Sequence, residues 1–162
     1  MKWFNNPQTL EDLKKQYKAL ALGHHPDCGG CVKDMQAINN AYDKLFQLLK
    51  NTHTNANGET YQSTNKTEET PEQFRDIINA LINLQNITIE IIGNWIWVTG
   101  DTFSCKNILK QHKFKWGSKK HAWYFHSEPY KKKSKKALSL EDIRAVYGSQ
   151  TVNTRQQELL AY

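Results

Sequence analysis

Two amphipathic stretches, separated by a segment that cannot be helical, constrain this chain more than any other feature. The segment HHPDCGGC, residues 24–31, interrupts them because its proline lacks a backbone N–H and its adjacent glycines disfavour a helix. Apolar residues recur at steps of three and four over 10–23 and again over 32–50, which predicts two helices. Helices joined by so short a loop lie antiparallel, so a helical hairpin is predicted over residues 1–50 with the loop at its tip.

The polar composition of residues 51–70 indicates a break after this hairpin. The stretch NTHTNANGETYQSTNKTEET contains almost no large apolar side chains, so it cannot bury enough surface to offset the entropy of ordering it. We expect a flexible linker there, then a second domain over residues 71–148 and a C-terminal tail over residues 149–162. Thr70 and Pro71 predict a helix start, because threonine is a favoured N-cap and proline a favoured first residue.

The segment ITIEIIGNWIWVTG predicts a β-hairpin with Gly93-Asn94 as its two-residue turn. If that turn sets the register, Ile92 faces Trp95 and the side chains alternate between two faces. One face then carries only aliphatic side chains, namely Ile87, Ile89, Ile91, Ile96 and Val98. The other face carries Thr88, Glu90, Trp95 and Trp97. The aliphatic face is predicted to be core.

The remaining elements complete a small second domain. We expect a helix over residues 102–113, a short hairpin within FKWGSKKHAWYFH, and a last helix over residues 139–147 that Gly148 ends. The charged run YKKKSKK, residues 130–136, is expected to be a solvated connection. The order α–β–β–α–β–β–α predicts an antiparallel domain, so the fold class is α+β: a helical hairpin followed by a small antiparallel α+β domain.

The first 50 residues resemble the J domain of the DnaJ co-chaperones. The matching features are the lysine-bearing helix KKQYKALAL, the tripeptide His25-Pro26-Asp27, the Gly-Gly pair that follows, and INNAY in the second helix. The match covers residues 3–50. Several features agree in order and spacing, so the resemblance is far more specific than the tripeptide alone.

This resemblance implies a partner and a mechanism. J domains dock on a DnaK-type chaperone ATPase through cations of the first long helix, and the His-Pro-Asp loop triggers ATP hydrolysis. Carried onto this chain, the docking cations are Lys14, Lys15 and Lys18, and the trigger is His25, Pro26 and Asp27. The chain itself would not be the enzyme. It departs from the family's pattern in a nearly absent first short helix, in Cys28 where a cation is usual, and in Gly23 where a bulky or basic residue is common.

The pair Cys28 and Cys31 raises the question of a metal or redox role. Zinc takes four ligands, and only these two thiols and His24 lie close together, without a second Cys-x-x-Cys or a histidine pair. A redox dithiol normally sits at a helix N-terminus within a strand–helix unit, whereas Cys31 merely precedes a helix. We therefore assign no metal and no cofactor, and interpret both as loop thiols.

Tryptophans interleaved with lysines mark the second domain. The pattern is typical of surfaces where bases stack and phosphates are neutralised, although aromatics also fill small cores and lysine clusters are often only solvated. The candidate nucleic-acid contacts are Trp95, Trp97, Lys106, Lys110, Lys113, Lys115, Trp116, Lys119, Lys120 and Trp123. The lysines at 106, 110 and 113 would share one helix face. This half resembles the C-terminal part of J-domain-containing proteins of phages, plasmids and integrative elements of Gram-positive bacteria, which implies a mobile-element setting but no activity.

Composition sets further limits. The formal charge of +6, from 22 basic and 16 acidic residues, permits nucleic-acid binding without requiring it. No apolar run approaches the roughly 20 residues that span a bilayer, and the N-terminus lacks the apolar region of a secretory signal. Three cysteines do not make a disulfide framework. We therefore expect a cytoplasmic protein of a host bacterial cell with no membrane partner.

Catalytic motifs are absent from the sequence. It contains no glycine-rich phosphate loop, nucleophile elbow or paired-histidine metal motif, and no spacing brings Glu90 together with His121 or His126.

Three hypotheses for the function remain. The chain is a co-chaperone that recruits a DnaK-type host chaperone, with a client- or nucleic-acid-binding second domain. Alternatively, it binds single-stranded nucleic acid on a J-like scaffold, or it antagonises a host defence protein.

Overall fold

Five helices and seven strands are present in the computed structural model, which describes residues 2–55, 57–64, 68–127, 138–147 and 150–153. The helices are α1 (Leu10–His24), α2 (Val32–Leu49), α3 (Pro71–Ile82), α4 (Lys106–Gln111) and α5 (Leu140–Tyr147), with a 3₁₀ turn at Pro26–Cys28. The strands are β1 (Thr52–Thr54), β2 (Thr60–Gln62), β3 (Ile87–Ile92), β4 (Trp95–Gly100), β5 (Lys115–Gly117), β6 (Ala122–His126) and β7 (Gln150–Asn153). The predicted α+β class is confirmed.

The helical hairpin forms as its sequence pattern predicts. Thr9 caps α1 by accepting a hydrogen bond from the backbone N–H of Asp12 at 3.3 Å. The apolar stripes of α1 and α2 meet, and the rings of Tyr17 and Tyr42 lie 4.4 Å apart between centroids. Both rings also contact Phe74 of α3. The hairpin therefore packs on the second half of the chain as well as on itself.

A five-stranded antiparallel sheet, in the order β5-β6-β4-β3-β7, forms the second half. The predicted turn and register are confirmed, because Ile92 pairs with Trp95 and Ile91 with Ile96. The aliphatic face of β3 and β4 is buried in one continuous core with α1, α2 and α3. The two predicted halves thus share a single hydrophobic core, which the sequence had left open.

Part of the segment predicted to be a flexible linker, residues 51–70, forms regular structure. Within it β1 pairs with β2, and two polar residues of the segment, His53 and Glu69, are 3% and 5% exposed. The lack of apolar residues gave the wrong expectation, because this segment is not ordered by apolar burial. Charged and polar partners on α1 hold it, as the Glu11–His53 contact of 2.8 Å shows.

The C-terminal third differs from expectation at three places. The predicted helix over 102–113 is shorter, since α4 covers only Lys106–Gln111. The predicted tail over 149–162 begins with β7, which pairs with β3. The last helix forms as predicted, with Ser139 accepting from the Asp142 N–H at 3.1 Å. Gly148, residues 128–137 and residues 154–162 lie outside the described residues.

No helix in the described part of the chain combines the length and apolar composition needed to cross a bilayer.

Candidate functional site

The His-Pro-Asp tripeptide forms the tip of the helical hairpin. The His25 N–H closes α1 by donating to the Ala21 carbonyl at 2.8 Å, and Pro26 then starts the 3₁₀ turn. The His25 ring caps that turn, because its Nδ1 accepts a hydrogen bond from the Asp27 N–H at 3.2 Å. This bond uses the Nδ1 lone pair, so it places the ring proton on Nε2. Pro26 and Asp27 are exposed, and the His25 side chain is 14% exposed.

The loop after the tripeptide is held against the end of α1. The carbonyl of His25 accepts hydrogen bonds from the N–H groups of both Cys28 and Gly30, at 2.9 Å each. Gly30 lies so close to α1 that a Cβ there would stand 2.0 Å from the His24 carbonyl oxygen. These contacts fix the tripeptide from both sides, so the tip is a preorganised turn.

The two loop cysteines are not joined by a disulfide, and Cys31 is exposed while Cys28 is half-buried. In the ranges that the structure describes, no group of three His, Cys, Asp or Glu side chains is arranged to hold a metal ion. The absence of a metal or redox role for these thiols stays a prediction.

Two of the three predicted docking cations are buried, which corrects the expectation that they form an open face. Lys14 is 2% exposed and pairs with Glu69, and Lys18 is 0% exposed with its Nζ donating to the Ile89 carbonyl at 2.9 Å. Both face the second half of the chain rather than solvent. Lys15 is half-exposed, so it is the docking cation that a partner protein can reach.

Burial perturbs Lys18. Its pKa is lowered to about 8, chiefly because burial disfavours the charged ammonium, while the carboxylate of Glu90 opposes that shift and Lys15 adds to it. Glu90 is itself 1% exposed and receives two hydrogen bonds from the Arg144 guanidinium, at 2.8 and 2.6 Å. Glu90 thus holds α5 on the sheet, a structural role.

The polar side chains that join the two halves were missed by the sequence analysis. Glu69 is bonded by Lys14 and by the Ser127 hydroxyl at 3.1 Å, while Glu11 contacts His53. A carboxylate in the first turn of a helix ordinarily serves the helix dipole, so the sequence carried no signal that Glu11 would be buried.

The four predicted tryptophans are divided by the sheet, and two are closed to a ligand. Trp123 is 8% exposed and packs with the aliphatic core, while Trp97 is 4% exposed on the opposite face under α5. Neither ring is therefore open for a base to stack on it in the folded chain. Trp95 is half-buried and stacks on His126 with centroids 4.4 Å apart.

Trp116 differs from the other three because it lies on the edge strand β5 and is 47% exposed. The lysines around it also face solvent. Lys110, Lys113, Lys115 and Lys119 are exposed, and Lys106 and Lys120 are half-exposed. The lysines at 106, 110 and 113 do not share one helix face as predicted, because α4 ends at Gln111. Lys113 lies beyond the helix in a left-handed conformation, with φ 64°.

An exposed aromatic residue beside these lysines was not predicted as a contact. Phe103 precedes α4 and is 78% exposed, with the Lys106 ammonium 4.4 Å from the centre of its ring. Its exposure follows from the late start of α4, which leaves residue 103 in the preceding loop.

Comparisons with protein-family models, with curated proteins and with solved structures found no match to this chain.

Proposed function

We propose that this protein is a J-type co-chaperone that recruits and stimulates a DnaK-type chaperone ATPase in a host bacterial cell. The observation that carries the proposal is the tip, where His25, Pro26 and Asp27 form a preorganised turn that points into solvent. A partner that reads such a turn spends little free energy on ordering it. Hydrolysis takes place on the chaperone, so this chain is not the enzyme.

The burial of two lysines limits the contacts that this chain can offer to the chaperone. Lys14 and Lys18 are engaged by Glu69 and Ile89, so the tip and Lys15 supply the contacts in the closed arrangement. The docking surface is then smaller than the three-lysine face that the resemblance implies. Recruitment through fewer charges should be weak and should depend strongly on the tip.

The direct test is single-turnover ATP hydrolysis by a bacterial DnaK-type chaperone in the presence of the full chain. Stimulation is expected with the unaltered protein and with His24→Gln, and hydrolysis should return to the unstimulated rate with His25→Gln. His24 is a matched control because it is the adjacent histidine and lies outside the tripeptide. Equal stimulation by both variants would refute the trigger role.

A second comparison addresses docking. Lys15→Gln should weaken stimulation at subsaturating protein and lose that effect at saturation, because it removes a docking charge and not the trigger. Lys33→Gln, an exposed lysine on α2, serves as its control. Identical concentration dependence for the two variants would exclude Lys15 from the docking surface.

A further inference from the structure

Residues 102–127 form a basic stretch that no acidic residue interrupts. Residues 102–127 contain no aspartate or glutamate, since Asp101 precedes them and Glu128 follows. The same stretch holds six lysines, at positions 106, 110, 113, 115, 119 and 120, a number that equals the formal net charge of +6 for the whole chain. The charges of the remaining residues sum to zero, and these residues include a second acid-free run, 129–140, with five lysines.

Three of these lysines, Lys110, Lys113 and Lys115, are exposed where α4 turns into β5. The Lys113 N–H donates to the Lys110 carbonyl at 3.0 Å, and the Phe114 N–H donates to the Leu109 carbonyl at 2.9 Å. This is the pattern of a helix ended by a left-handed residue, for which glycine is strongly favoured. Here a lysine occupies that position, at φ 64°. Lys115 follows as the first residue of the edge strand.

A partly open aromatic ring follows Lys115 on β5, and the two side chains lie on opposite faces of this edge strand. Trp116 contacts the Trp123 ring, with centroids 5.5 Å apart, and leaves about half of its side-chain surface in solvent. Edge strands are commonly protected by charge rather than by tryptophan. A large aromatic surface left open among cations is what base stacking on a phosphate backbone uses.

We propose that Lys110, Lys113, Lys115, Trp116 and Lys119, here called the basic edge, bind single-stranded nucleic acid. Trp116 stacks on one base, and the lysines neutralise neighbouring phosphates. Phe103 with Lys106 extends the surface beyond the start of α4. A single strand fits better than a duplex, because α4 has only six residues and offers no long helix to a major groove. None of these residues belongs to the hairpin tip, so the proposal is independent of chaperone recruitment.

The test is fluorescence anisotropy of a labelled oligothymidylate of about 20 nucleotides titrated with the full chain, at several salt concentrations. Trp116→Ala should weaken binding by about 5- to 150-fold, the range that loss of one base stack produces. Trp116→Phe should retain most of the affinity, because phenylalanine still offers a ring. Lys110→Gln and Lys113→Gln should each reduce the slope of log K against log salt by about 0.7.

The controls separate this surface from general charge attraction. Lys33→Gln and Lys44→Gln remove exposed lysines of α2 and should leave both affinity and salt slope unchanged. A duplex of the same length should bind without any Trp116 effect. Absence of binding at low salt would overturn the proposal, as would an equal loss in the α2 variants. Binding that is indifferent to Trp116→Ala in a folded variant, checked by its thermal melting, would overturn the single-strand assignment.

Discussion

Lys14 and Glu69 form an ion pair that is closed to solvent on both sides. The Nζ and Oε2 atoms lie 2.5 Å apart, and each side chain is only 2% exposed. The pair joins α1 to the segment that precedes α3, so it links the helical hairpin to the second half of the chain. A buried ion pair specifies one arrangement strongly, because either charge left alone in the interior is costly.

Glu69→Gln should therefore destabilise the protein by about 3–5 kcal/mol, since it leaves the Lys14 ammonium buried without a counter-charge. Urea unfolding at pH 7 measures this. The double variant Lys14→Met/Glu69→Leu should recover most of the loss, because an apolar pair removes both charges. Glu72→Gln, at a side chain that is 61% exposed, should change the free energy of unfolding by less than about 0.5 kcal/mol. A Glu69→Gln loss no larger than this control would contradict the buried pair.

The stability of the protein should rise with pH above about 8. Lys18 has its pKa lowered to about 8 by burial, against 10.5 in the unfolded chain, so the unfolded chain binds more protons between those values. The free energy of unfolding then increases across this window, by at most about 1.4 kcal/mol per pH unit. Lys18→Met should abolish the rise when urea midpoints are measured from pH 7 to 10.

Above about pH 10 the trend should reverse, because burial raises the pKa values of Tyr17 and Tyr42 above the ordinary 10.0. Unfolded tyrosines lose their protons there, while the buried ones keep them, so the folded state binds more protons and stability falls. This fall should remain in Lys18→Met. A wild-type curve that is flat from pH 8 to 10 would count against a perturbed Lys18.

Gly30 and Gly23 offer a matched pair of glycine substitutions. Gly30→Ala forces a Cβ to within 2.0 Å of the His24 backbone oxygen, so the loop must move and we expect a loss of several kcal/mol. Gly23→Ala meets no atom within 4 Å in the last turns of α1, so it should stabilise by about 0.5–1 kcal/mol. Thermal melting of the two variants measures both effects.

The same two glycine variants test whether chaperone stimulation depends on the geometry of the hairpin tip. Gly30→Ala should also lose chaperone stimulation at temperatures where the variant remains folded, because the His25 carbonyl loses its partner at Gly30. Gly23→Ala should stimulate as the unaltered protein does. Normal stimulation by Gly30→Ala would show that the geometry of the tip does not matter for recruitment.

Lys113→Gly should separate stability from ligand binding. Glycine adopts the left-handed conformation without the steric cost of a Cβ, so the variant should be more stable by about 0.5–1.5 kcal/mol. It also removes one charge of the basic edge, so oligonucleotide affinity should fall while the melting temperature rises. Lys113→Ala serves as the control, since it removes the charge and retains the Cβ. A destabilised Lys113→Gly would contradict the observed conformation.

Local chemistry made much of the fold predictable from sequence. The side chains of Thr9, Thr70 and Ser139 each cap a helix by accepting a hydrogen bond from the N–H three residues later, which is a local pattern. The β3–β4 register also follows from a two-residue turn and strict alternation. Such features depend on residues that are close together in the chain, so the local sequence displays them directly.

The placement of charged residues could not be predicted in this way. Lys14 and Lys18 carry side chains of a type that usually stays in solvent, and their burial depends on Glu69 and Ile89, far along the chain. The β1–β2 hairpin is ordered by Glu11 in the same manner. A tryptophan likewise has the same local pattern whether it lies under α5, as Trp97 does, or on an edge strand.

The bond from Lys18 to Ile89 spans 71 positions, and the pair from Lys14 to Glu69 spans 55. A ribosome adds about 5–20 residues per second, so about 4 to 14 s separate the synthesis of Lys18 from that of its acceptor. During this interval α1 and α2 can already pair, while the segments that cover the two lysines have not yet been synthesised. The nascent chain thus exposes a cationic face of α1 that becomes buried when the whole chain has folded.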